Sequence, residues 1–202
     1  MLLVSVLKNL LQFFMNILIF VLDKNPHRSI IFTKTKNMET VANLRNEFNQ
    51  EYETTKKFLA VYPDQHNDYR PHEKSMKMMA LATHIAEIFG WPDYMMTTEK
   101  LDFAAGDYQP TFLNTKAELQ EKFEEDYKKS LATFENMKEE DLDGRWTMNM
   151  GEQVIADFIK YEAIRHALNQ ITHHRAQLGV YYRLNNIPLP GSYGPSADVE
   201  SF

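Results

Sequence analysis

The stretch NQITHHRAQ, residues 169–177, places two adjacent histidines, an arginine and two glutamines inside a segment otherwise patterned as a helix. Imidazoles can ligate divalent cations, carry protons near neutral pH or hydrogen-bond a substrate. At about 100° per residue, with His174 set at 0°, Gln170 falls near −40° and Ala163 and Tyr181 near −20°. Ala167, Leu178 and Ile171 fall at roughly 20°, 40° and 60° on the same wheel. Gln170 and His174 thus sit one turn apart on the face that must meet the core. His173 and Arg175 fall about 100° to either side, on the flanks. On an earlier helix His84 stands beside Leu81, Ile85 and Ile88, so it also leans inward. Two readings follow. Gln170 and His174 could bond each other or water, as buried polar groups do. Alternatively the two inward histidines on different helices, His84 and His174, meet at a metal ion. His166 precedes His174 by roughly 12 Å of helix axis, too far to share one ion.

The elements that must position these residues are helical. Val41, Leu44, Phe48, Tyr52, Thr55 and Leu59 recur at three or four residues, one helix face, and the run DQHNDYRP ends it. A second helix is expected over about 76–90, with Met78, Leu81, Ile85 and Ile88 inward, stopping at Gly90-Trp91-Pro92. Residues 92–113 read as irregular, with a helical turn near 93–100. A third helix over roughly 114–137 aligns Leu119, Phe123, Tyr127, Leu131 and Phe134. DLDGRWTMNMGE reads as a connection, extended around Trp146, before a long helix from about 152 to 185. The prolines and glycines of NIPLPGSYGPSAD close the chain in a form no helix tolerates. With no β alternation evident, the expected fold is all-α, an antiparallel four-helix bundle.

Composition excludes several functions. The 202 residues are 44% hydrophobic, enough for one domain with a substantial core. No cysteine is present, which removes disulfides, Cys-ligated zinc and a thiol nucleophile of the protein's own. Of the 22 Lys/Arg and 28 Asp/Glu, five and one lie in residues 1–37, leaving 17 basic against 27 acidic residues in 38–202. So acidic a body repels phosphate backbones, and nucleic acid is not an expected partner. The acidic run Glu139-Glu140-Asp141 reads as a solvated helix end, and the methionines as packing rather than a copper site.

Residues 1–37 differ from the rest. Leu2–Leu22 is mostly apolar, and Ser5, Lys8, Asn9, Gln12 and Asn16 form one narrow stripe. This segment is either a membrane anchor or a mis-assigned start, with translation beginning at Met38; the domain proper is 38–202. A cytoplasmic location follows from the second reading and N-terminal membrane anchoring from the first.

THIAEIFGW at 83–91, HHRAQLGVYYRL at 173–184 and IPLPGSYGPSAD at 187–198 resemble the DinB/YfiT-like family of metal-binding four-helix bundles, from about Met38 to the end. The resemblance implies three histidine ligands, one at the position of His84 and two on the fourth helix at 170 and 174. Here position 170 is Gln170, a harder and weaker donor than imidazole. It also implies a zinc or nickel ion and a low-molecular-weight thiol cosubstrate such as bacillithiol, mycothiol or glutathione, which suits a chain without cysteine. The expected function is a metal-dependent thiol S-transferase or hydrolase-like enzyme of stress or detoxification, taking a small-molecule substrate. The alternatives are a degenerate, non-catalytic small-ligand-binding bundle and a membrane-tethered interaction module. A homodimer remains open as the assembly. Arg175 and Gln177 belong to the HHR-x-Q element, and a structural link to the C-terminal tail is as good a reading of them as a functional one.

Overall fold

The computed structural model describes residues 39–199, so the readings of residues 1–37 fall outside the described residues. Five helices follow the hydrophobic spacing: α1 Thr40–Ala60, α2 Met78–Ile88, α3 Trp91–Thr97, α4 Lys116–Asn136 and α5 Lys160–Leu184. Three strands interrupt them: β1 Lys100–Asp102, β2 Arg145–Met150 and β3 Gln153–Ile159. The α2 and α3 helices make one bent arm. α1 packs chiefly on α4 and α5, and the α2–α3 arm packs on the same two. The architecture is therefore four helical arms around one core, with α1 and the bent arm on opposite sides.

Each arm forms for a local reason. On α1 the buried residues Leu44, Phe48, Tyr52, Thr55 and Leu59 match the spacing expected of one face. Thr115 and Glu118 close a capping box at the start of α4, satisfying two backbone N–H groups that the first helical turn leaves unpaired. Gly90 turns the chain between α2 and α3 where a Cβ would meet the Asp126 carboxyl group at 3.1 Å. Asp126 and Ser130 accordingly lie on the buried face of α4, and the Ser130 hydroxyl accepts a hydrogen bond from the Asp93 amide of α3 at 3.2 Å. The sequence pattern had placed Leu131 on that face; it is only half-buried.

The all-α expectation is corrected by a three-stranded mixed sheet in the order β1-β2-β3, parallel then antiparallel. α5 consequently begins at Lys160 and not near 152. Trp146, Thr147, Val154, Ile155, Phe158 and Ile159 supply β-favouring side chains, and Gly151 leads a two-residue turn between β2 and β3 at φ 61°. A bulge between Met148 and Asn149 breaks the alternation that would have disclosed the hairpin. The Asp102 carboxylate binds the Ala104 and Gly151 amides at 3.0 and 2.9 Å, tying β1 to the hairpin turn. No described helix is long and apolar enough to cross a membrane.

Candidate functional site

His84, one turn before the end of α2, and His174, in the second half of α5, come together. Their ring centroids are 4.7 Å apart, edge to face. Both are half-buried. His174 engages its Nδ1 in a hydrogen bond, and His84 has a carboxylate near its own. His174 Nδ1 lies 2.9 Å from Gln177 Oε1, and His84 Nδ1 lies 3.8 Å from Glu87 Oε2. Among the described residues neither Nε2 has a hydrogen-bond partner. Burial first, then the neighbouring His84 and His173, lower the His174 pKa against the opposing bond from Gln177. A neutral imidazole with Nδ1 engaged presents an Nε2 lone pair, the form a metal requires.

Gln177 does a second thing. Its amide nitrogen lies 3.1 Å from His173 Nε2, so one side chain joins both histidines of the HHR-x-Q element. His173 itself is exposed. Glu87 is similarly shared: its carboxylate accepts from the Thr111 amide at 3.0 Å and the Tyr108 hydroxyl at 3.2 Å. Burial pushes the Glu87 pKa up, but the bonds from His84, Thr111 and Tyr108 outweigh it and hold the carboxyl below its usual range. Glu87 was not singled out in the sequence, although its place three residues after His84 on one helix is the signal.

Gln170 is half-buried on α5, one turn before His174. Among the described residues no three His, Cys, Asp or Glu side chains gather as a metal-holding group. The donors that the structure brings together are the imidazoles of His84 and His174.

His84 also stands on the wall of a cleft of about 410 Å³. Trp91, Tyr94, Tyr108, Trp146 and His166 line it, with Glu87 and Asp126 among its polar groups. Neither Gln170 nor His174 lines this cleft. Trp91 meets both histidines, edge-on to His84 at 5.6 Å and parallel to His166 at 6.4 Å. His166 therefore belongs to the cleft and not to the His84–His174 pair. Tyr181, expected on the His174 face, is buried and donates its hydroxyl to the Met76 carbonyl at 3.1 Å, a packing role.

Arg175, expected on a flank, is 2% exposed. Its guanidinium donates to the Thr55 hydroxyl at 2.9 Å and the Tyr193 hydroxyl at 2.8 Å, beside the Glu51 carboxylate. Its role is structural, joining α5 to α1 and to the C-terminal tail.

The sequence pattern of the DinB family matches residues 33–198. The chain belongs to the DinB family. Three solved structures share the fold of this DinB-family protein. A DinB-like protein of Bacillus subtilis, YjoA, is 21% identical, with a TM-score of 0.58 over 74% of this chain and 96% of its own. A DinB-like protein of Bacillus cereus is 15% identical, with a TM-score of 0.58 over 74% and 95%. YfiT of Bacillus subtilis, described as a probable metal-dependent hydrolase with an unusual four-helix bundle topology, is 12% identical, with a TM-score of 0.55 over 81% and 94%. At these identities the likeness is one of fold. Comparison with curated proteins gave no match.

Proposed function

We propose that this DinB-family protein is a metal-dependent enzyme, a thiol S-transferase or hydrolase, whose divalent ion is held by His84, Gln170 and His174. The observation that carries the reading is the His84–His174 contact at 4.7 Å, with His174 Nδ1 bound by Gln177, Glu87 beside His84 Nδ1, and both Nε2 atoms without a protein partner among the described residues. A bound zinc or nickel ion with an open position lowers the pKa of a thiol or of water and so supplies the nucleophile. The chain's own part is to orient. Gln177 holds the His174 ring with Nδ1 as donor, Glu87 stands beside His84 Nδ1, and the cleft beside His84 receives the small molecule to be attacked. The thiol is a soluble cosubstrate, in keeping with a chain without cysteine, and the chemistry suits detoxification or stress defence. Likeness in fold to YfiT, itself described as a probable metal-dependent hydrolase, supports the reading.

Gln170 favours one other reading: a bundle that has lost catalysis and keeps the cleft as a small-ligand site. Calorimetric titration of metal-stripped protein with zinc and nickel separates the two. Saturable binding near one ion per chain, lost in His174→Ala, supports the enzyme; no heat with either metal overturns it.

A further inference from the structure

The cleft beside His84 is specific in what it offers a ligand. Trp91, Tyr94, Tyr108 and Trp146 give it aromatic walls, a surface that takes flat apolar rings. Its charges are already spent on each other. Lys122 pairs with Asp126 at 2.7 Å and Lys129 with Asp93 at 3.2 Å. Glu87 is bound by Thr111 and Tyr108, and the Asp107 carboxylate by the Asp102 amide at 2.8 Å. No lysine among the lining residues is left without a carboxylate to receive an anion. The two carboxylates without a cationic partner are capped by neutral donors, so a cation would have to displace those bonds.

Among the described residues three lining rings, His84, Trp91 and His166, keep a nitrogen without a hydrogen-bond partner. His84 belongs to the proposed metal site and the Trp91 indole can only donate, whereas His166 can do either. His166 is half-buried, its ring parallel to Trp91 at 6.4 Å and stacked with Phe158 at 5.5 Å. Among the described residues nothing hydrogen-bonds either of its ring nitrogens. Burial lowers its pKa, which favours the neutral ring. A neutral imidazole is both donor and acceptor, and a hydroxyl or carbonyl on a ligand can meet either nitrogen. Trp146 already donates its indole N–H to Thr98 at 3.1 Å.

We infer that the cleft binds a small uncharged aromatic compound bearing one hydrogen-bonding group, of the phenol class, and that His166 is the residue that receives that group. This rests on the reading of the cleft as the substrate side of the His84 site. It adds the recognition element of the ligand and a specificity residue; the centre attacked would be a separate electrophilic substituent carried by the same ring.

Both tryptophans of the sequence, Trp91 and Trp146, line the cleft, so the protein carries its own reporters. The two indole N–H signals of nitrogen-15-labelled, metal-stripped protein are followed by NMR while 2-naphthol is added. Saturable shifts of both are expected. Naphthalene, without the hydroxyl, should bind about fivefold more weakly, the worth of one net hydrogen bond. Naphthalene-2-sulfonate and 1-naphthylmethylammonium should bind more than about tenfold more weakly than 2-naphthol, since each brings an unmatched charge. His166→Phe keeps the stack on Trp91 and Phe158 and should abolish the preference for 2-naphthol over naphthalene. Indole signals that 2-naphthol leaves unmoved, equal binding of either charged analogue, or a hydroxyl preference surviving His166→Phe would each overturn the inference. The wild-type comparisons stand even if the variant folds poorly. Zinc titration of the same sample reads the metal proposal separately: naphthol binding without zinc binding overturns only that proposal, and the reverse overturns only this one.

Discussion

Arg175 and Glu51 face each other across α5 and α1 with their side chains 3% and 6% exposed, Nη1 to Oε2 at 2.5 Å. Oε2 makes no properly directed hydrogen bond, so its compensation is the charge of the guanidinium. Oε1 receives the Tyr193 hydroxyl at 2.6 Å. Removing one partner strands the other's charge. Arg175→Leu should cost about 3–5 kcal/mol of stability, the range for a broken buried pair. The double variant with Glu51→Leu should recover much of that loss. Urea unfolding of the single and double variants measures the coupling, and additive losses would show that the pair is not coupled.

Gln170→His places a second imidazole one turn from His174 on α5. The variant should bind zinc or nickel at least about tenfold more tightly than the parent, because a nitrogen donor replaces an amide oxygen. Equal and negligible calorimetric heats from parent and variant would leave the cleft as a ligand site without a metal.

Gln177→Leu removes the group that engages His174 Nδ1 and joins it to His173. Loss of such an orienting partner should weaken metal binding by about 10–100-fold. In the metal-free parent, nitrogen-15 imidazole spectra should show His174 protonated on Nδ1, and in the variant a mixture of tautomers. A parent His174 protonated on Nε2 would contradict the assignment whatever the metal does.

Acid should find a weakness at His166. Its pKa in the fold is depressed by burial, so it stays neutral while the unfolded chain takes up a proton below roughly pH 6.5. Stability present above that pH is lost as the pH falls toward the folded value. His166→Phe should therefore lose less stability than the parent between pH 7.5 and 5.5, read as the shift in urea midpoint. Identical shifts would mean that His166 does not titrate differently on folding.

Much of this was legible in the residues. The spacing of Leu44, Phe48 and Tyr52 marked α1, and a wheel with His174 inward brought it to His84, as the 4.7 Å contact shows. The hairpin was hidden because its bulge at Met148–Asn149 breaks the period of two and because β3 leaves Val154 and Ile155 exposed. Arg175 was misplaced because a helical wheel knows one buried face. α5 is covered on a second side by α1 and the tail, where Thr55, Glu51 and Tyr193 neutralise and bond the guanidinium. Glu87 escaped notice and the role of Gln177 stayed open, since each acts through a histidine three residues away.

The Glu51–Arg175–Tyr193 tie also imposes an order on biosynthesis. Glu51 leaves the ribosome long before Arg175, and Tyr193 follows it 142 residues later. Until Arg175 emerges, 124 residues after Glu51, the carboxylate that α1 must bury has no counter-ion, and α1 cannot settle into the core without stranding it. The nascent chain should thus hold its first helices loosely and close all at once when the tail emerges, as expected of a fold whose stabilising contacts span nearly its whole length.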